Sequence, residues 1–385
     1  MASCLKRLIL IISSLALFGC SDSRAPEHLS YTHGLGIDYK DGEYIIYIQL
    51  LNLGTLAKSE SAGSGEDVVI EVGRARAKNV DEAIFHLYRS AEQEIYWGTL
   101  SYIILSENLL REEGLNSVID MWSRYPETRY QISLYIINKE IEKAMLTSPV
   151  TDVSKGLNKI ARPENSQKQN NFVPFINLRQ LLILLDEPNH LGVIPHISVS
   201  EHSWKQTKNT PRPLIEIDGI SLYDRDEQLL GNLIGKEAQG FRWVTKEFSR
   251  SDLILQKNNQ PLAALIVNNI KTKIIPIVKD GKVTFQLNIK ADTSVSELNL
   301  QSPLQELEEK AAKEIKEQVL FTYLEALKLD ADIYRLSEKL YRSDLPSWKK
   351  HSENGKLELK EESLEIEVEV LIKDALRNHL KRSVK

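Results

Sequence analysis

Residues Leu35 to Leu51 read LGIDYKDGEYIIYIQLL, and the fold of the first half of the chain depends on this stretch. Two apolar runs, LGIDY (35–39) and EYIIYIQLL (43–51), flank the tripeptide Lys40-Asp41-Gly42. Asp-Gly is a favoured pair in tight turns because both residues tolerate positive φ. The stretch therefore predicts an antiparallel β-hairpin.

Helical and strand patterns follow the hairpin in mixed order. Asn79, with Glu82 three residues later, predicts a helix N-cap. An apolar face follows it at helical spacing: Val80, Ala83, Ile84, Leu87 and Ala91. Further patterns predict a strand at 100–105, a helix from about 109 to 124, a strand at 130–137, a helix within 176–185, and strands at 214–223 and 228–234.

The last third of the chain carries three clear signals. Val283 to Ile289 alternates apolar and polar residues, which predicts a strand with one buried face, and Pro276 places its partner strand at an edge or a bulge. A long helix is expected over 302–328, with Ser302 and Gln305 forming a capping box and Pro303 at its first position. The alternating run LEIEVEV (364–370) predicts a solvent-facing strand of an antiparallel sheet. No βαβ succession is evident, so the predicted class is α+β, multi-domain, with mixed or antiparallel sheets and packed helices.

The N-terminus has the pattern of an export signal. Lys6 and Arg7 precede an apolar run from Leu8 to Phe18, which is too short to span a bilayer. The run ends at Leu17-Phe18-Gly19-Cys20, which is similar to a lipobox, so Cys20 is predicted to carry a lipid after cleavage. Ordinary signal cleavage without lipid and an N-terminal core helix are the alternatives.

These patterns predict four regions. Residues 1–19 are a signal peptide that is removed, and residues 20–30 are a lipidated tether. Residues 31–210 form an N-terminal α+β region, in which a second subdomain could begin near 148. Residues 211–385 form a C-terminal α+β domain, with the boundary in WKQTKNTPRP (204–213), which lacks apolar periodicity.

Composition narrows the classes of function. The 385 residues carry a formal net charge of −5, and loss of Lys6 and Arg7 with the signal makes it −7. A mildly acidic chain gives no support for nucleic-acid binding. Cys4 and Cys20 are the two cysteines of the sequence, so no disulfide is expected in the mature protein. No phosphate loop or nucleophile elbow occurs, and no cofactor is expected.

Two sets of polar residues are candidate sites. His190, His196 and His202 are spaced by six residues, but on one strand they would lie about 20 Å apart, too far to share a metal ion, so they are interpreted as loop or surface histidines. Asp218, Asp224, Asp226 and Glu227 surround a turn and are interpreted as Asx-type turn formers, not catalytic carboxylates. Tyr96-Trp97, Tyr44 and Tyr47 are expected in the core or an interface. The sequence therefore predicts no catalytic or metal site.

Several segments, in order along the chain, resemble the Ger(x)C germination proteins. They are the signal with its lipobox, Gly36-Ile37-Asp38 with the strand to Gln49, GRARAKNVDEA (73–83), Tyr96-Trp97-Gly98, SYIILSENLLREEGLNSVIDMWSR (101–124), GISLYDRDEQLLGNLIGKEAQG (219–240) and DADIYRLSEKLYRSDLPSWK (330–349). The resemblance implies a non-enzymatic lipoprotein subunit of a nutrient germinant receptor. Cys20 would anchor it on the outer face of the spore inner membrane, with integral A- and B-type subunits as partners. Whether the chain touches the germinant stays open.

A solute-binding lipoprotein and a secreted hydrolase are two other classes of protein to compare with the sequence. A solute-binding lipoprotein of a transporter would show two α/β lobes around a ligand cleft, and the sequence lacks the expected βα alternation. A secreted hydrolase would need a catalytic constellation, and none is found.

Overall fold

The computed structural model describes residues 28–51, 70–124, 129–147, 158–187, 190–206, 209–226, 228–300 and 302–374. Within these ranges the chain forms a nine-stranded sheet, a four-stranded sheet and a two-stranded ribbon, with helices packed on them. The α+β class with mixed sheets and a long helix is confirmed.

The strands of the large sheet are β1 (Leu29–Lys40), β2 (Glu43–Leu51), β3 (Glu71–Ala77), β4 (Glu94–Tyr96), β5 (Tyr102–Ser106), β6 (Ser133–Ile137), β7 (Leu191–Ser200), β8 (Leu214–Asp224) and β9 (Gln228–Ile234). The helices among them are α1 (Val80–Tyr88), α2 (Glu107–Glu112), α3 (Asn116–Arg124), α4 (Ile141–Leu146), α5 (Pro163–Gln167) and α6 (Leu178–Asp186). A 3-10 segment (Gly235–Trp243) leads out of the sheet.

The second half contains β10 (Ser251–Lys257), β11 (Gln260–Lys279), β12 (Lys282–Leu298), α7 (Leu304–Leu327), α8 (Leu336–Ser343), α9 (Leu345–His351), β13 (Ser352–Glu353), β14 (Lys356–Leu357) and β15 (Leu364–Asp374). Strands β10, β11, β12 and β15 form the four-stranded sheet in that order.

The first hairpin forms as predicted. Lys40 pairs with Glu43 across the turn, and both Asp41 (φ 55°) and Gly42 (φ 76°) adopt positive φ. The apolar residues of β1 and β2 are buried on both faces of the sheet, which identifies these strands as central. Asn79 also caps α1 as expected, since its Oδ1 accepts the Glu82 amide at 2.8 Å.

The centre of the large sheet differs from the expectation. Strand β1 pairs in parallel with β5, β5 with β6, and β6 with β7, with helices in the connections. The expectation that the chain has no βαβ succession was therefore wrong for this region. The strands are short and the helices between them are interrupted, so their rhythm is hard to see in the sequence. The single helix expected over 109–124 is two helices, because Gly114 adopts a left-handed φ of 71° between them.

In the C-terminal sheet, one strand runs in a direction that differs from the prediction. Leu364, Ile366 and Val370 are buried and the glutamates between them are exposed, as the alternation predicted. However, β15 pairs with β12 in parallel and not antiparallel. Helix α7, which lies between the two strands in sequence, carries the chain back so that β15 starts beside the first residues of β12. Pro276 lies at an edge as expected, because β10 pairs with β11 only as far as Val267.

The long helix starts two residues later than predicted. It begins at Leu304 with Pro303 at the N-cap position, and no side chain caps it, so the expected capping box of Ser302 and Gln305 does not form. On α7 the apolar residues Leu307, Ala311, Ile315 and Val319 are fully buried, whereas Leu304 at its start is exposed.

The hydrophobic cores do not separate at residue 211. Strand β8 pairs with β7, so the large sheet continues across the expected boundary. The core around α7 also includes Ile220, Leu222 and Leu233 from β8 and β9. The division into 31–210 and 211–385, with a subdomain from about 148, stays a prediction, and the sheet itself passes through it.

Helix α7 meets the 3-10 segment at Gly240. The Gly240 amide donates to Thr322 Oγ1 at 2.9 Å. A Cβ at position 240 would lie 2.2 Å from the Gln318 carbonyl oxygen and 2.6 Å from Val319 Cα, both backbone atoms that cannot move independently of the helix. Only glycine fits this contact.

We expect Gly240→Ala to lower the free energy of unfolding by about 3 kcal/mol, the upper end for an overpacked core, because the new methyl group pushes α7 off the sheet. Urea unfolding followed by tryptophan fluorescence, to which the buried Trp243 contributes, measures it. Gly231→Ala is the matched control, since its Cβ would meet the flexible side chain of Leu329. Equal losses at the two glycines would contradict the close backbone contact.

Asp332 generates a second prediction. Its carboxylate accepts the amides of Leu336 (2.8 Å) and Ser337 (2.7 Å) at the start of α8. Burial raises its pKa to about 6, although these hydrogen bonds act in the opposite direction. The folded protein therefore binds this proton more tightly than the unfolded chain, whose aspartate has a pKa of about 3.9. The stabilising contribution is complete below that value and is lost as the pH rises through 6.

Compared with Asp332→Asn, we expect the wild-type protein to lose about 2 kcal/mol of stability between pH 4 and pH 7. Urea unfolding at several pH values in that window measures the difference. The exposed Asp330→Asn serves as the control. A wild-type curve parallel to that of Asp332→Asn would refute the assignment.

Candidate functional site

The predicted lipidation site, Cys20, lies outside the described residues, which begin at His28. Lipidation of Cys20 is therefore still a prediction. None of the helices within the described ranges combines the length and the hydropathy that a bilayer-spanning segment requires. The chain enters the fold through β1, whose first residues pair in parallel with the short strand β4. Leu29 lies beside Glu94, and Tyr31 lies beside Tyr96.

Aromatic side chains gather where the chain enters the fold. Tyr31 and Tyr96 are in edge-to-face contact with ring centroids 5.9 Å apart. The next residue, Trp97, donates from Nε1 to the Tyr88 hydroxyl at 2.9 Å. Tyr88 in turn contacts Phe85 edge-to-face at 5.6 Å. Tyr31 and Tyr96 thus form one pair, and Trp97, Tyr88 and Phe85 form a second group, linked to it through the neighbouring residues Tyr96 and Trp97. We call these five residues the N-terminal aromatic cluster.

The N-terminal aromatic cluster is anchored on the inside and open on the outside. Trp97 is buried in the core of the large sheet, whereas the Phe85 side chain is 57% exposed. Tyr31, Tyr88 and Tyr96 are half-buried. Aromatic rings that combine an apolar body with a hydroxyl or indole N–H are enriched at protein interfaces and at membrane surfaces. The sequence indicated Tyr96 and Trp97 as core or interface residues, but not Tyr31, Phe85 or Tyr88, which join them through tertiary contacts.

Local hydrogen bonds hold the loop that follows β4. Thr99 Oγ1 donates to the Thr32 carbonyl at 2.8 Å, and the Ser101 amide donates to the His33 carbonyl at 2.9 Å. At Gly98, a Cβ would lie 2.4 Å from the Tyr96 hydroxyl. The short segment Tyr96-Trp97-Gly98 is therefore closely packed onto β1, which positions the cluster.

The three spaced histidines lie apart, and the sequence interpretation was wrong for one of them. His202 is exposed, and His190 lies at a turn with a φ of 47°. His196, expected in a loop or at the surface, is buried on β7. Its Nδ1 lies 2.6 Å from Asp218 Oδ1, and its Nε2 faces Glu107 Oε1 at 3.5 Å, an electrostatic contact too long for a well-formed hydrogen bond. Two carboxylates from other elements make this burial possible, and the sequence shows neither pairing.

The pKa of Asp218 is shifted by this contact. Burial raises the pKa of the carboxyl, but hydrogen bonds from His196 and Ser198 outweigh burial and hold the pKa below its usual range. Asn232 Nδ2 donates to Glu107 Oε1 at 2.8 Å and Asn232 Oδ1 accepts from Ser221 at 2.7 Å. The hydroxyl of Ser221 is thus committed to an amide, and the network connects α2, β7, β8 and β9.

The acidic residues at the turn between β8 and β9 lie in different environments. Asp224 is buried, accepts the Asp226 amide at 2.8 Å and pairs with Lys356 Nζ at 3.0 Å, so the Asx-type interpretation is confirmed there. Asp226 is exposed, and Glu227 lies outside the described residues. Within the described part of the chain, no group of three or more His, Cys, Asp or Glu side chains is placed to hold a metal ion.

Comparisons with known proteins agree with this architecture. Residues 22–199 match the family model "Spore germination protein N-terminal domain", and residues 218–375 match "Spore germination B3/GerAC like, C-terminal". Spore germination protein KC of Bacillus subtilis (strain 168) is 22% identical and is aligned over 98% of this chain and 97% of its own length. Spore germination protein B3 of the same organism is 25% identical over 75% of this chain and 74% of its own length.

The fold has a solved counterpart. The crystal structure of the GerBC protein superposes with a TM-score of 0.54 at 16% sequence identity, covering 89% of this chain and 96% of that one. Together the two family models account for both halves of the sequence and follow one another in the same order as the two sheets. The chain therefore belongs to the family of spore germination proteins that these two models describe.

Proposed function

We propose that this chain is a lipid-anchored, non-enzymatic subunit of a nutrient germinant receptor that is required for spore germination. The observation that carries the proposal is the match of both family models, which together span residues 22–375. The named relatives are spore germination proteins, and one of them aligns along nearly its whole length.

Cys20 would supply the membrane attachment, on the outer face of the spore inner membrane. Each buried CH₂ of a lipid chain contributes about 0.8 kcal/mol, so the two or three chains of a bacterial lipoprotein hold a protein stably. Nine residue steps separate Cys20 from Leu29, where β1 begins, and they reach at most about 30 Å. The large sheet would thus stay close to the bilayer.

The N-terminal aromatic cluster supports contact with integral A- and B-type subunits. Tyr31 follows Cys20 by eleven residue steps, so this first residue of the cluster stays within about 40 Å of the lipid. Tethering raises its local concentration near membrane partners. Phe85 offers an exposed ring next to the half-buried Tyr88, which the buried Trp97 holds by a hydrogen bond, and this is the arrangement of a rigid anchor residue in an interface.

The alternative function is that of a solute-binding lipoprotein of a transporter, a class that contains two α/β lobes. The large sheet does contain parallel strands with helices between them. However, the second sheet is a long antiparallel hairpin flanked by β10 and β15, which does not repeat the first. Two matching α/β lobes, which that class requires, are not formed by the described residues.

Replacing Cys20 with alanine tests the anchor. We expect the variant to leave the inner-membrane fraction of spores and nutrient-triggered germination to fall, because the tether has lost its lipid. Cys4→Ala is the matched control, since it removes the other cysteine of the chain within the predicted signal. A Cys20→Ala protein that stays in the membrane and supports normal germination would show that the lipid is not what holds it.

Replacing Phe85 tests the partner surface. We expect Phe85→Ser to reduce co-purification of the integral subunits about tenfold, the effect of losing roughly 1.4 kcal/mol at an interface anchor. The fold should survive, because more than half of the ring is exposed. Ile254→Ser on β10, where the side chain is 50% exposed, is the control. Unchanged recovery with Phe85→Ser, or an equal loss with Ile254→Ser, would rule out this surface.

A further inference from the structure

A cavity of about 350 Å³ lies where the two halves of the chain meet. Its walls come from α6 and β7 on one side, and from the 3-10 segment, β11 and the start of α8 on the other. The volume falls at the lower end of the range for small-molecule sites, roughly 300–1,000 Å³. A ligand of modest size would fit.

Most of the cavity wall is apolar. Ile183 and Val193 come from the large sheet side, and Phe241, Val244 and Tyr334 come from the other side. The Tyr334 hydroxyl donates to the Val319 carbonyl at 2.8 Å, so its ring presents carbon atoms. The Ile183 side chain is 48% exposed and lies at the margin of the wall. This lining suits the apolar body of a ligand.

One arginine in the wall has a hydrogen-bond donor that the fold does not use. Arg335 donates from Nε to Glu338 and from Nη1 to the Leu191 carbonyl at 3.0 Å. Its Nη2 is buried and has no hydrogen-bond partner among the described residues. A buried guanidinium nitrogen without an acceptor costs free energy, and the positive charge of this side chain lies on the cavity wall.

Two lysines of the wall add unpaired positive charge. Within the described residues, neither Lys246 nor Lys339 forms an ion pair. Burial lowers the pKa of Lys339, and repulsion from the charge of Lys246, which lines the same cavity, lowers it further. An anion between them would remove that repulsion.

The carboxylates of the wall do not neutralise this charge. Glu338 is committed to two guanidinium groups, that of Arg335 and that of Arg342, whose Nε donates at 2.7 Å. Glu247 accepts from the Thr245 hydroxyl at 2.8 Å and is exposed. The basic groups therefore outnumber the available acidic ones on this wall.

We propose that the cavity binds a small organic anion, a carboxylate attached to an apolar body. The apolar body packs against Phe241 and Val244, and the carboxylate accepts hydrogen bonds from Lys246 and Lys339 beside the fixed positive charge of Arg335. The site is independent of the lipid on Cys20 and of the N-terminal aromatic cluster. Because its walls belong to both halves of the chain, a bound anion would join α6 and β7 to α8.

The test uses 3-phenylpropionate as the probe, on the complete chain in a non-ionic detergent, with heats from detergent alone subtracted in isothermal titration calorimetry. 3-Phenylpropan-1-ol and 3-phenylpropylamine are the neutral and cationic controls. We expect saturable one-to-one binding of the carboxylate, at least tenfold tighter than that of either control. Binding of the alcohol or the amine with equal affinity, or no saturable binding of the carboxylate, overturns the proposal.

Substitutions locate the site. We expect Lys246→Met with Lys339→Met to weaken 3-phenylpropionate at least tenfold, whereas Lys349→Met with Lys350→Met, on exposed positions of α9, leaves the affinity unchanged. Ile183→Glu should also weaken binding at least fivefold by placing a negative charge at the margin, and Ile183→Gln should not. Affinity that survives both the lysine pair and Ile183→Glu places any binding elsewhere and refutes the assignment.

Discussion

The contact between α7 and the backbone at Gly240 is the constraint on which the second half of the fold depends. With no side chain at Gly240, the 3-10 segment approaches within hydrogen-bond distance of Thr322 on the helix. This approach fixes α7 across the four-stranded sheet, and the buried stripe from Leu307 to Val319 then fills the space between them. The position of α7 also determines where the chain re-enters the sheet, which is why β15 lies parallel to β12.

The same constraint explains what the sequence could and could not predict. Burial of Ile366 and exposure of Glu367 follow from alternation alone, because a strand places successive side chains on opposite faces. The direction of β15 depends instead on how far α7 carries the chain, and no local pattern encodes that. His196 is a similar case. Its burial depends on Asp218 and Glu107, which are distant in sequence, so the residues next to it in the sequence do not predict that burial.

The boundary between the two family models falls inside one sheet. Residues 200–217 lie between the matched ranges, and they contain the connection from β7 to β8, which pair with each other. Ile220 and Leu222 of β8 then belong to the core around α7. The two ranges matched by the family models therefore do not correspond to two separate compact units of the structure. The contact between Tyr31 and Tyr96, by contrast, lies wholly within the range matched by the N-terminal family model, and Tyr31 is close to the residue where β1 begins.

Buried polar groups of two kinds occur where the halves meet. In the first, around His196, side-chain hydrogen bonds and the longer contact between His196 Nε2 and Glu107 connect α2, β7, β8 and β9. In the second, around Arg335, one buried guanidinium nitrogen, the half-buried Lys339 and the exposed Lys246 have no acceptor among the described residues. A buried donor without an acceptor carries a desolvation cost that the fold does not offset. A protein that retains the second arrangement keeps positive charge beside an apolar wall, and a ligand with the opposite charge and an apolar body is the partner that would neutralise it.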